Sequence, residues 1–138
     1  MKTEDIIRDI NIKLAGELLS TGQLIIFINA SIDEVNTRLN TKFPILKVTD
    51  HEYTAIPDKY IRTVIIPGAA FKFYIMDEEG AAVSPKYEED FLKGLFYMER
   101  DYLPMLPDEY VDDDIQGHVR INGLDDGGLV FDGSVFTI

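Results

Sequence analysis

The sequence predicts a mainly α-helical chain, a bundle of about four helices followed by a C-terminal acidic extension that carries a short β-hairpin. Three observations lead there. Apolar residues recur at three- and four-residue intervals in successive segments between Ile6 and Tyr102. Beyond Asp114 that period shortens to two. The charge changes as well: residues 1–98 hold 15 acids and 11 bases, a net of −4, whereas residues 99–138 hold 10 acids and 2 bases, a net of −8. The expected organisation is a helical body over 1–107 and an extended acidic arm over 108–138.

The first helix is expected to open at Thr3 as its cap, with Glu4 and Asp5 suited to the positive end of the helix dipole. Ile6, Ile7, Ile10, Leu14 and Leu18 then fall on one face. Ser20 and Gln23 have the spacing of a capping box, with Gly22 tolerated near the start. The helix that follows places Leu24, Ile28, Ser31, Val35 and Leu39 on one stripe, with Ile25 and Ile32 beside it.

Residues 40–55 break the rhythm. Phe43-Pro44-Ile45-Leu46-Lys47-Val48 reads as a short extended piece ending in a polar turn through Thr49 and Asp50. Ile56-Pro57-Asp58 reads as a helix start, since proline near the first turn costs no internal hydrogen bond. Tyr60, Ile61, Val64, Ile65, Ala69, Ala70, Phe73 and Met76 form the apolar face of this third helix. Pro67-Gly68 interrupts it, which predicts a kink or a helix restarted at Pro67. The small pair Ala69-Ala70 invites close approach by another helix. A hinge at Pro67-Gly68 is the functional alternative to a kink shaped by packing.

Asp77-Glu78-Glu79-Gly80 ends the third helix, and Ser84-Pro85 opens the fourth with a serine cap and proline at the first helical position. Phe91, Leu95, Met98 and Tyr102 form its stripe, which Leu92 and Phe96 widen, and Pro104 and Pro107 stop it. In the arm, Val119 and Ile121 flank Arg120, and Leu129 and Phe131 flank Val130, across the link Asn122–Gly128. This pattern is that of a two-stranded ribbon, and an isolated ribbon is marginal in water, so it needs a surface to dock on.

Composition excludes several classes. The chain has 138 residues and 46% hydrophobic content, including eight Phe and seven Tyr, enough for one folded domain. Without cysteine there is no disulfide framework, thiolate nucleophile or cysteine-based metal site. A net charge of −12 gives no footprint for nucleic acid, and no run of Lys or Arg marks a basic patch. Leu24–Ile28 is far shorter than a membrane span, and the start does not read as a signal peptide. The sequon Asn29-Ala30-Ser31 therefore reads as incidental.

Catalytic chemistry finds little support. His51 and His118 lack metal-ligand spacing, and Ser20 and Ser84 sit where helix caps are expected. Asp112-Asp113-Asp114 and Asp125-Asp126 are carboxylate clusters without the spacing of a calcium loop, and read as solvated charge, with a structural cation held across subunits as the lesser alternative. The expectation is a chain with no catalytic residues, no cofactor-binding residues, no metal ligands and no cofactor. The seven tyrosines suit broad amphipathic contact surfaces.

The order of three features resembles a known family. Leu24, Ile28, Asn29 and Ala30 in the second helix, then Pro57 and Tyr60, then Ala69 and Ala70, look like the helical head–tail connector (portal adaptor) proteins of tailed bacteriophages. The resemblance spans residues 3–103; Pro67-Gly68 and the alternating ending depart from the pattern. It implies a non-enzymatic virion protein at the head–tail junction, assembled in the host cytoplasm. Such a protein forms a homo-oligomeric ring of about twelve copies, with heterologous contacts closing the circle. Its partners would be the portal protein above and a tail or stopper protein below, with DNA passing through without sequence-specific binding and no membrane involved. The alternative from composition is a small helical regulatory module that binds one protein through its acidic arm.

Overall fold

In the computed structural model, residues 1–14, 19–76 and 82–112 are described. Four helices of eleven residues or more dominate them: α1 (Thr3–Lys13), α2 (Thr21–Leu39), α4 (Ile66–Met76) and α5 (Ser84–Asp101). A single helical turn, α3 (Asp58–Tyr60), runs into a π-helical segment (Ile61–Ile65) that continues directly as α4. The chain divides into two units, Met1–Leu39 with Phe43–Met105, and Asn40–Lys42 with Leu106–Ile138.

In the first unit, α4 packs against α1, α2 and α5. Its sequence shows why it takes the centre. Ile66, Pro67, Gly68, Ala69 and Ala70 are buried in an unbroken run, so this half of the helix has no solvent face. Around it, α1 contributes Ile6 and Ile10, and α2 contributes Leu24, Ile25, Ile28, Ser31, Ile32, Val35 and Leu39, the whole of its expected stripe. α5 contributes Phe91, Gly94, Leu95 and Met98.

The capping box forms as expected: the Ser20 amide donates to Gln23 Oε1 at 2.9 Å, and the Gln23 amide donates to Ser20 Oγ at 3.2 Å. The other two expected caps are corrected. Thr3 is the first residue of α1 rather than its cap, and its buried Oγ1 has no hydrogen-bond partner among the described residues. Its amide instead donates to the His51 carbonyl at 3.0 Å, beside an antiparallel bridge between Lys2 and Glu52. The amides of Asp5 and Ile6, which a Thr3 cap would have served, donate to the Lys2 carbonyl at 3.0 and 3.1 Å. Ser84 is likewise already helical, and Pro85 follows it in the first turn.

The π segment resolves the choice posed by Pro67-Gly68. Proline has no amide hydrogen to give the Thr63 carbonyl, and its ring crowds that oxygen in an α-helix. Wider coiling just upstream, with the Ile66 amide reaching back to the Ile61 carbonyl, accommodates the ring without breaking the helix. Thr63 Oγ1 meanwhile donates to the Lys59 carbonyl at 2.8 Å.

Two asparagines on α2 hold the extended piece. Asn29 Nδ2 donates to the Leu46 carbonyl at 2.9 Å, and its Oδ1 accepts from the Leu46 amide at 2.8 Å. Asn36 treats Phe43 in the same way, at 3.0 and 2.9 Å. Seven residues of helix rise about 10 Å, and three residues of extended chain cover about the same distance. The two clamps are therefore in register, and they let Phe43 and Leu46 bury their side chains beside α2. No strand forms among the described residues of this piece.

Two sequence expectations about the apolar faces are corrected. Leu92 and Phe96 do not widen the buried stripe of α5; they are 41% and 58% exposed. Met76, placed on the buried face of the third helix, is 76% exposed at the end of α4. Helix α5 ends at Asp101, ahead of a 3-10 turn at Leu103–Met105 that contains Pro104.

In the second unit, Thr41 and Val111 form an antiparallel bridge, flanked by hydrogen bonds from the Lys42 amide to the Tyr110 carbonyl and from the Asp112 amide to the Asn40 carbonyl. Asn40, just past α2, has φ 54°, a left-handed conformation that asparagine tolerates at a helix end. The expected ribbon between Val119 and Phe131, the turn at Asp77–Gly80 and Leu18 lie outside the described residues.

Candidate functional site: a basic groove beside the outer face of α5

Gly94 creates this site. A Cβ placed on it would lie 2.1 Å from the Thr63 carbonyl oxygen and 2.9 Å from the Thr63 carbonyl carbon. Only a residue without a side chain lets α5 cross the π segment so closely. Beside that crossing lies a groove of about 350 Å³ lined by Lys13, Arg62, Thr63, Pro67, Asp90, Lys93, Gly94 and Tyr97.

Its cations come from three separate elements. Lys13 stands in the last turn of α1, where a positive charge complements the helix dipole. Arg62 belongs to the π segment and Lys93 to α5. Asp90 is the one acid in the lining among the described residues. None of the three cations forms an ion pair among the described residues. On a chain of net charge −12, three cations facing one groove with a single carboxylate form a local reversal of sign.

One end of the groove is braced by tyrosines. The rings of Tyr74 and Tyr87 stack at 5.5 Å with planes 5° apart, and both hydroxyls donate to the Lys13 carbonyl, at 3.4 and 3.2 Å. These bonds supply donors to a carbonyl in the last turn of α1.

Next to the groove, the outer face of α5 exposes Leu92, Phe96 and Tyr97. Leu92 and Phe96 are one turn apart, as are Lys93 and Tyr97, so apolar and basic positions run side by side along the helix. The Arg100 guanidinium lies 4.9 Å from the Tyr97 ring and 5.9 Å from the Phe96 ring. It also bonds Asp101 at 2.7 and 3.0 Å. That bond holds the Asp101 carboxyl below its usual range and pushes Arg100 up.

A second hollow, of about 590 Å³, is lined by Lys2, Thr3, Glu4, Ile7, Thr21, Asp50, His51 and Glu52. Its charges are mixed, with Lys2 beside Glu4, Asp50 and Glu52 in the lining. Among the described residues no group of three or more His, Asp or Glu side chains is placed to hold a metal ion, and no helix is long and apolar enough to cross a membrane.

Residues singled out from sequence take packing roles where they are described. His51 is exposed, and Ser20 caps α2. Asn29 of the sequon clamps the Leu46 backbone, and Leu24, Ile28, Tyr60, Ala69 and Ala70 are buried. Of the aspartate clusters only Asp112 is described, and His118 lies outside the described residues. Lys13, Arg62 and Lys93 were not foreseen as a group. They stand 49 and 31 residues apart in the chain, so no local signal joins them.

No protein-family model, curated protein or solved structure matches this chain.

Proposed function

We propose that this chain is a non-enzymatic structural protein of a tailed-bacteriophage virion, a head–tail connector that forms a ring below the portal. In this reading the four-helix body makes the ring wall, and the acidic arm, with its ribbon, reaches to a second surface. The ring extends the DNA channel and offers a docking surface for a tail or stopper protein. Support comes from the order of the motif residues and, above all, from the exposed face of α5. Apolar side chains beside three cations suit a heterologous contact between unlike surfaces, which a closed ring requires. An acidic remainder would repel phosphate and let DNA pass.

Electron microscopy of the purified protein mixed with its portal tests the proposal. Rings of about twelve copies, formed alone or on the portal, are the expected result. A monomer or dimer that ignores the portal would remove this reading and favour a module that binds a single protein partner.

A further inference from the structure

The groove is a basic site on a chain of net charge −12, and the same chain contains a segment of complementary chemistry. Residues 113–138 hold five aspartates, Asp113, Asp114, Asp125, Asp126 and Asp132, against Arg120 alone. Between these acids lie apolar residues at alternate positions, Val119 and Ile121, then Leu129 and Phe131. The face around the groove has the matching pair of properties: Lys13, Arg62 and Lys93 for carboxylates, and exposed Leu92, Phe96 and Tyr97 for apolar side chains.

We infer that this groove and the adjoining face of α5 receive residues 113–138 of a second copy of the chain. The inference rests on the ring reading, which calls for a head-to-tail contact. A segment of 26 residues reaches about 85 Å when extended, long enough to lie along a neighbouring protomer. The carboxylates meet cations that have no ion pair among the described residues, so no existing pair among those has to be broken. The apolar positions cover side chains that are otherwise in water.

The test uses full-length chains and no other protein. Sedimentation of the purified protein at low salt should show association that grows with concentration and weakens as salt is added. A groove-reversed variant, Arg62→Glu with Lys93→Glu, should associate roughly ten- to a hundredfold more weakly, as should an arm-reversed variant, Asp125→Lys with Asp126→Lys. Circular dichroism of each confirms that the helices persist. Mixing the two variants should restore association, because each then meets a partner of opposite sign at both contacts. A wild-type chain that stays monomeric at low salt overturns the inference, as does a mixture that fails to recover. Self-association untouched by the groove reversal, with retention of short duplex DNA reduced instead, would make the groove a phosphate site and also overturn it. Portal binding is measured separately, so a chain that associates through its arm yet ignores the portal loses only the connector reading.

Discussion

Replacing Gly94 by alanine sets two known effects against each other. In an open helix interior, glycine to alanine stabilises by about 1 kcal/mol, through reduced backbone freedom in the unfolded chain. At Gly94 the added methyl would sit 2.1 Å from the Thr63 carbonyl oxygen and 3.1 Å from Val64 Cγ2. Ordinary contact begins near 3.4 Å, so α5 and the π segment would have to separate by about 1 Å along that line. Both sides of the contact are helical backbone, which cannot rotate away as a side chain can. Forced repacking of this kind costs about 1–3 kcal/mol or more, and the separation also loosens Phe91, Leu95 and Met98 against their neighbours. A net destabilisation of about 2 kcal/mol is expected, which at a typical urea dependence lowers the unfolding midpoint by about 1 M. The comparison is Gly22→Ala in the first turn of α2, where the nearest atom to a new Cβ is Ser20 Oγ at 3.9 Å. That variant should be neutral or slightly more stable. Urea titrations followed by far-ultraviolet circular dichroism decide the matter. If Gly94→Ala unfolds at or above the wild-type midpoint, the close crossing, and with it the origin of the groove, is falsified.

Two further outcomes follow from the polar contacts. Asn29→Ala leaves the amide and carbonyl of buried Leu46 without their side-chain partner and should cost about 2–4 kcal/mol; Asn36→Ala should act likewise on Phe43, and hydrogen exchange should accelerate at the released amide while the α1 amides keep their protection. The hydrogen bond from Lys72, at 2.8 Å, leads the causes that hold the Glu34 carboxyl below its ordinary range, with Arg38 adding to it and partial burial opposing. A carboxyl depressed in the folded state stabilises above its unfolded pKa, and that contribution disappears as pH falls through the folded value. Lys72→Met should therefore be less stable than wild type at neutral pH, with the gap closing through the acid range below ordinary glutamate titration; a gap independent of pH across urea titrations would contradict the assignment.

Much of the body was legible from local pattern. The stripe of α2 is buried residue for residue, because seven positions at helical spacing leave one way to face a core. The capping box formed because both its donors and its acceptors lie within four residues. Thr3 and Ser84 show where this kind of reading stops. A cap assigned from residue type takes the helix to start after that residue, but here the Asp5 and Ile6 amides bond the Lys2 carbonyl, and the Thr3 amide is held by the His51 carbonyl from 48 residues away. Leu92 and Phe96 show a second limit. Periodicity identifies an apolar face, but how wide a neighbour will cover it depends on how many helices arrive there, and here α5 keeps part of that face in water.

The groove was not legible at all. Gly94 lies inside an otherwise helical pattern, and Lys13, Arg62 and Lys93 are too far apart in the chain for any local signal to join them. Their convergence follows from the π segment before Pro67 and from the backbone contact at Gly94.

By itself the sequence determined the helical class, most of the buried faces, the position of the disruption at Pro67 and the acidic character of residues 99–138. These depend on residue type and on spacings of a few positions, which the chain carries in any conformation. Tertiary structure decided which apolar residues stay exposed, how the helix passes Pro67, which asparagines hold the extended piece, and where three distant cations meet. Those depend on the distance between elements remote in sequence, and that distance is set only when the backbones pack.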